Sequence, residues 1–569
     1  MLIPTTLHNP VRSDYTAIQT KLSTAIKKGM KKHKIVGMSL ALIDDGEVVW
    51  AEGFGYADRE NKRLADKNTL YKVGSITKVF TAIAAMQLVE KKQLNLDAPV
   101  QTYIPELDIK YHTPTNNPIT LRHLMNHTSG LQVDQMAGMF NKNPEHFSNV
   151  IDFLNKNHAA YAPGTIATYS NLAMDLVGVI IERVFGQSFE AYMTDNLLTP
   201  LGMSQSVLRE KNTNPLLMSL GYKKGKFHEE YPIRSVPAGN LHSNVVEMSQ
   251  FIGSILQEGA PLISRHSFKE MTRIQTDDTK FDSGAKFGLN WFLQNPQLDY
   301  AGKFLSHNGG TMNFISSLMI LPEKKLGVIV LSNSAMQIQF IDETATQTLQ
   351  QALKVKHGLS PPPKKTWPEI ISPPDEAVSI LCGNYVTPLG FAKIDQDKKG
   401  LFANLLHKKI RLKYHKDGWL SLKFKLFGLI PIPLPGLNKI RIQTRKIAGE
   451  KILYAEEHDA VYITGKIFSA NAISPIWRSR LGEYKVDYRD GDYHWAKKIV
   501  LTERDGILFF NIKDQQIGGS LLIINPLNEC MAIFEGIGRA MQETIYAKGE
   551  YEKSEIFYSG YRLIFSKRI

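Results

Sequence analysis

The sequence predicts an α+β protein: a helix and a strand hairpin, further strands with a closing helix, and then a long β-rich tail. Three observations carry this: a hairpin signal near the start, a helical apolar period just before it, and a change to short alternating runs beyond a proline-rich stretch. Ile18, Leu22, Ile26 and Met30 recur every four residues and mark one face of a helix. Met38 to Asp44 and Glu47 to Gly55 read as strands joined at Asp45-Gly46, a pair suited to a tight turn. Phe314 to Leu321 and Leu326 to Ser332 then return as strands joined by Pro322-Glu323-Lys324-Lys325, and a last helix runs from about Gln337 to Leu353. Pro361-Pro362-Pro363-Lys364-Lys365 through Pro373-Pro374 marks a linker. After it, Lys408 to Tyr414, Trp419 to Phe427 and Lys439 to Gln443 alternate as half-buried strands do. Gly383-Asn384-Tyr385 and Gly482-Glu483-Tyr484 each open a β-rich stretch, so the tail is expected to form one or two antiparallel β-barrels. A single core does not extend over 569 residues. The expected divisions are 1–357, a linker over 358–378, a barrel-like region over 379–475, and 476–569 as a second barrel or the second half of one.

Gly74-Ser75-Ile76-Thr77-Lys78 enters the apolar run Val79 to Met86. A serine in the first turn of a helix with a lysine three residues on puts a hydroxyl and an amine on one face, beside backbone N–H groups that have no helical partner. The run is apolar almost all round, so the helix should be buried, and burial lowers a lysine pKa toward a value at which the amine accepts a proton. A capping serine and a snorkelling lysine would give the same spacing. It recurs at Ser283-Gly284-Ala285-Lys286, in a loop that offers neither burial nor a helix start. Two distant segments add to the first. Tyr169-Ser170-Asn171 stands where an irregular stretch turns into the helix Leu172 to Phe185, closed by Gly186. Ser306-His307-Asn308-Gly309-Gly310-Thr311 precedes a strand, and paired glycines there let a backbone N–H approach a ligand closely.

In the order S-x-x-K, Y-x-N, H-x-G, these segments resemble the three motifs of the serine β-lactamase and penicillin-binding-protein superfamily, above all its class C-like branch of esterases, D-aminopeptidases, carboxypeptidases and β-lactamase-like hydrolases. Leu124 to Leu131, Pro237 to Leu241 and Phe287 to Trp291 resemble that branch too, and the resemblance covers residues 15 to 355. It implies a β-lactamase/transpeptidase-like fold, an antiparallel sheet flanked by helices with a helical insertion from about 76 to 260, with lipocalin-like or paired barrels following in some members. By position in the motifs it implies Ser75 as nucleophile, Lys78 and Tyr169 as its catalytic partners with either as base, and the backbone N–H groups of Ser75 and Gly310 as the oxyanion hole. Asn171, His307, Asn308 and Gly309 would bind substrate, Asn171 also bonding Lys78. The implied reaction is hydrolysis of amide or ester bonds through a Ser75 acyl-enzyme, on D-residue or small peptides. A carboxylesterase or weak β-lactamase is the alternative, and a non-catalytic binding or filament-forming protein with a relic pocket is the alternative of another class. One departure bears on substrate. Penicillin-recognising members usually carry K-T-G or K-S-G where this chain has His307-Asn308-Gly309, so the carboxylate contact is expected to fade as pH rises through the histidine pKa.

The formal charge is +13, and residues 401 to 450 hold eleven Lys or Arg against two acids. Such a face suits an anionic membrane or cell-wall surface, and no nucleic-acid motif accompanies it. The adjoining Leu426 to Pro435 is apolar but short and proline-broken, too short to span a bilayer. Two cysteines, Cys382 and Cys530, exclude a disulfide framework and are too few for a Cys-type metal cluster. No phosphate-binding glycine loop or zinc signature occurs, so no cofactor or metal is expected. Met1 to Tyr15 shows no apolar leader core, which gives a cytoplasmic expectation for the chain as written, or a periplasmic or secreted one if a leader has been removed.

Overall fold

The computed structural model describes residues 14–209, 214–281, 283–363, 366–387, 390–405, 408–423, 425–426, 430–431, 439–447, 449–457, 459–514 and 520–568. Most of the segment read for a leader, and most of Leu426 to Pro435, lie outside the described residues. Helix α1 (Thr16–His33) buries Ile18, Leu22, Ile26 and Met30, the four positions of the apolar period. Strands β1 (Gly37–Asp44) and β2 (Glu47–Asp58) form the hairpin, with Asp45 and Gly46 both at positive φ as the tight turn requires. A short β3 (Arg63–Leu64) closes that edge. Helices α2 (Thr77–Glu90), α3 (Asn171–Phe185) and α4 (Val245–Leu256) belong to the long insertion. The chain then returns to the sheet with β4 (Leu305–Gly310), β5 (Ile315–Leu321) and β6 (Leu326–Ser332), and α5 (Ile338–His357) follows.

The strand order is β4-β5-β6-β1-β2-β3, with every neighbouring pair antiparallel. Side chains alternate between the two faces, so each strand feeds two cores. Met38, Leu40, Leu42, Val328 and Val330 pack against α1 and α5, whereas Ala41, Ile43, Ile329 and Leu331 face the insertion. Helix α2 has almost no polar stripe because it is enclosed on every side; Phe80 stacks on Phe251 of α4 with ring centroids 4.1 Å apart.

The tail forms two closed eight-stranded barrels. The first runs from Gly383–Thr387 to Ala460–Ile467 and the second from Gly482–Asp487 to Tyr561–Lys567. Both begin alike. A short helix leads into a Gly-x-Tyr strand start, and the tyrosine hydroxyl donates back to a carbonyl four residues earlier: Tyr385 to Leu381 (2.9 Å) and Tyr484 to Arg480 (2.7 Å). The proline-rich stretch is tied to the first barrel, since Ile371 N donates to Tyr414 O (2.9 Å) and Lys416 N to Glu369 O (3.0 Å). The basic segment carries its own counter-ions. Asp397 binds both Lys409 and Arg411, and Arg441 pairs with Asp417 and Glu456.

Both barrels pack on the sheet domain. Ile463 N of the first donates to Ser283 O (3.1 Å), and its Trp419, Ile452 and Tyr454 join Ile166 and Phe281 in one apolar cluster. The second grips residues 134–141: Ser559 Oγ donates to Asp134 O (2.9 Å), Tyr561 Oη to Met136 O (3.1 Å), and Asn141 Nδ2 to Asp492 (2.8 Å). Among the described residues no helix is long and apolar enough to cross a membrane.

Candidate active site

Ser75 sits in a single 3₁₀ turn, Gly74–Ile76, that leads directly into α2. Gly74 has φ +56°, and a Cβ there would stand 2.7 Å from the Gly310 nitrogen. On the other side, a Cβ on Gly309 would meet Val73 O at 2.0 Å and Ser75 N at 3.0 Å. Only glycine lets β4 approach the turn this closely, and the approach brings the main chains of Ser75 and Gly310 together.

Lys78 is fully buried in the first turn of α2. Its Nζ donates to Ser75 Oγ (3.0 Å) and to Ala238 O (2.6 Å). The Pro237 to Leu241 segment is the wall that makes this possible: Thr81 Oγ1 donates to Pro237 O (2.7 Å), and Leu241 N donates to Thr77 Oγ1 (3.1 Å). Burial lowers the Lys78 amine to about 7. The carboxylates of Asp134 and Asp175 oppose that fall, and Arg539 adds to it. Asp175 is itself pushed up to about 7 by burial, although Ser235 Oγ donates to it (2.6 Å).

The Tyr169 ring lies 4.9 Å from Lys78 Nζ and packs on His127 with centroids 4.4 Å apart. Its hydroxyl is buried and, among the described residues, has no hydrogen bond of normal geometry. Burial raises its pKa strongly, and the nearby Ser75 hydroxyl opposes the rise only in part. Ser170 Oγ caps α3 by accepting from Ala173 N (3.1 Å), and that cap fixes where Tyr169 and Asn171 leave the helix. Asn171 reaches the cavity that Ser75, Asp134, Ala238 and Gly310 also line, but it does not bond Lys78; its Nδ2 donates to Asp134 Oδ1 (2.7 Å). The expected Asn171–Lys78 bond is thus replaced by one to an acid that the motifs did not mark.

His307 is buried against Phe292 and near Tyr169, its Nδ1 against Asn308 O (2.5 Å) and its Nε2 without a partner. Burial, reinforced by Lys78, lowers it to about 3. Burial therefore disfavours the expected carboxylate contact that titrates with histidine, because it favours the neutral imidazole of His307. Asn308 turns toward α5, its Nδ2 3.4 Å from Asp342, and it lines a different cavity from the one around Ser75. Gly309 contributes the close approach described above. Ser283 is spent on structure, accepting from Ala285 N (3.3 Å) in the loop that holds the first barrel.

Four residues escaped the sequence reading. Asp134 and Asp175 set the charge around Lys78, and Arg539 and Glu543 arrive from the second barrel. The Arg539 guanidinium lies 5.0 Å from the Tyr169 ring centroid, and buried Glu543 accepts from Val133 N (2.9 Å). Asp175 follows Asn171 by four residues, one helical turn, which is the one local signal among them.

Residues 22–353 match the Beta-lactamase family. Protein Flp of Staphylococcus aureus (strain MW2) is 27% identical over 323 residues, 55% of this chain and 63% of that protein, so the chain spans less than two thirds of Flp. A penicillin-binding protein of Bacillus subtilis (strain 168) is 26% identical over 337 residues, 55% of this chain and 71% of that one. The octameric penicillin-binding protein homologue from Pyrococcus abyssi shares the fold with a TM-score of 0.54 at 24% identity, over 79% of this chain and all of that one. The matched segment is more than half of the chain and holds Ser75, Lys78, Tyr169 and the strand of His307 to Gly310, and by it the protein belongs to the Beta-lactamase family.

Proposed function

We propose that the protein is a serine hydrolase that cleaves amide or ester bonds through a Ser75 acyl-enzyme, acting on D-residue or other small peptides. The observation that carries this reading is the Lys78 amine, 3.0 Å from Ser75 Oγ and lowered by burial to about 7. A neutral amine in that position accepts the hydroxyl proton as Oγ attacks a carbonyl. The tyrosine is the poorer base, because burial holds its phenol protonated. Tyr169 instead hands a proton to the leaving group, and the proton that Lys78 took replaces it. The N–H groups of Ser75 and Gly310 receive the oxyanion. Water then attacks the acyl-enzyme by the same steps in reverse.

One relative is named for binding penicillin, a cyclic amide, in keeping with the amide class. His307 stands where penicillin-recognising members carry lysine, and as a neutral imidazole it gives a penicillin no lysine-type contact. Intact mass after incubation with a fluorophosphonate and, separately, a penicillin tests nucleophile and ligand class together. Wild type and Ser283→Ala should gain the phosphonyl mass, and Ser75→Ala should not. Labelling that survives Ser75→Ala would end this reading, and an unlabelled wild type would leave a binding protein with a relic pocket.

A further inference from the structure

The second barrel brings a cation over the ring of Tyr169. Arg539 stands on the loop between the strands Met531–Phe534 and Thr544–Lys548, and that loop is pinned on both sides of it. Before it, Tyr161 Oη accepts from Gly538 N (3.0 Å) and donates to Gly538 O (3.2 Å), while Ile537 is buried with Ile166 and Phe281. After it, Gln542 N donates to Phe534 O (2.8 Å), Gln542 Nε2 to Gly536 O (2.9 Å), and Glu543 receives Val133 N (2.9 Å). The guanidinium is held 5.0 Å from the centroid of Tyr169, the ring that also lies 4.9 Å from Lys78 Nζ. Arg539 is exposed, and among the described residues it makes no hydrogen bond and no ion pair. Its acidic neighbours are engaged elsewhere: Asp134 takes the Asn171 amide and Glu543 the Val133 N–H. A guanidinium packed on an aromatic face keeps its fork of N–H donors for a partner of matching shape, and a carboxylate has that shape.

The other basic groups of the site are not free for this purpose. Lys78 must be neutral to act on Ser75, and His307 is buried and uncharged. We propose that Arg539 reads a carboxylate on the substrate, so that the hydrolase domain supplies the chemistry and the second barrel selects peptides with a free acidic end. The inference rests on the serine-hydrolase reading for its substrate class. It also changes the expected pH behaviour: an arginine stays charged throughout, so the preference for a carboxylate is flat with pH.

Binding separates this proposal from catalysis. Calorimetry with Ser75→Ala measures affinity for N-acetyl-D-Ala-D-Ala and for its C-terminal amide at pH 6 and pH 8.5. The acid should bind at least about fivefold more tightly than the amide at both values, as expected for a charge-assisted pair. Ser75→Ala/Arg539→Ala should bring the ratio close to one, and Ser75→Ala/Arg539→Lys should restore part of it. A merely structural role would weaken both ligands together and leave the ratio unchanged. No preference for the acid, a preference that survives Arg539→Ala, or failure of both peptides to bind would overturn the proposal. Wild type that binds the acid preferentially but is not labelled by a fluorophosphonate would instead overturn the hydrolase reading and leave Arg539 its role.

Discussion

The reactivity of Ser75 should follow the titration of Lys78, and both the sign and the size of that dependence can be worked out. Burial takes the amine from the ordinary 10.5 to about 7. At pH 7 an ordinary lysine is neutral in about 0.03% of molecules and Lys78 in about half, so the supply of base rises on the order of 10³-fold. Phosphonylation of Ser75 followed by mass spectrometry at fixed times, from about pH 5 to pH 10, should show a rate that climbs about tenfold per pH unit below 7 and levels off above 8. Asp134→Asn removes a carboxylate that favours the protonated amine, so the pKa of Lys78 falls and the climb moves to lower pH. A rate still climbing past pH 9 would refute this reasoning, because that is the profile of an ordinary amine or of a Tyr169 phenolate acting as base. A climb that moved to higher pH in Asp134→Asn would refute the charge coupling.

Lys78→Arg keeps a charge and supplies no neutral amine, so phosphonylation should fall on the order of 10²-fold or more; near-wild-type rates would make Lys78 an electrostatic support only. Lys78 binds its proton more weakly in the folded than in the unfolded chain, so between about pH 7 and 10.5 the unfolded state holds more protons and stability rises with pH, by up to about 5 kcal/mol for this group. The wild-type melting temperature should therefore climb more between pH 7 and 9.5 than that of Lys78→Met, and equal slopes would contradict the burial of the charge. The His307 imidazole carbon resonances should not titrate between pH 5.5 and 8.5; an inflection near 6.5 would return it to the list of carboxylate readers. Charge reversal at Lys408 and the exposed Lys413 should remove salt-sensitive retention on anionic vesicles, whereas reversal at Lys409 and Arg411 should also disturb the Asp397 pairs; retention insensitive to salt would exclude a charged contact.

What the sequence made legible was local. The α1 period, the Asp45-Gly46 turn, the Gly186 stop of α3, and the uniform apolarity of α2 all record contacts made within a few residues or a face chosen once, and each was found where it was read. The barrel number was not readable in advance, because alternating runs describe strands and say nothing about how many close a circle. The clue was nonetheless present: two Gly-x-Tyr starts, each with a tyrosine that bonds back to its leading helix, mark two closures. The partners of Asn171 and Asn308 were hidden for a different reason. A motif fixes where a residue leaves the backbone, while the partner it finds depends on acids that no motif includes, Asp134 for the first and Asp342 for the second.

The charge on Lys78 shows why the remaining site was hidden. Its value is set by burial within α2, which the sequence announces, and by three charges from three places: Asp134 in the loop that the second barrel grips, Asp175 one turn along α3, and Arg539 at the far end of the chain. The first two favour the proton and the third opposes it, so the amine is poised by a balance that exists only when the barrel is docked. Ser559, Tyr561 and Glu543 all bond the main chain at residues 133–136, and the same docking that brings Arg539 over Tyr169 also holds Asp134 in place. A charge carried in by one domain and a charge fixed by the same contact are thus coupled through a single interface. Weakening it, as with Ser559→Ala and Tyr561→Phe together, should alter the pH at which Ser75 becomes reactive as well as the preference for a carboxylate; a change in one without the other would mean that the barrel reads substrate without tuning the base.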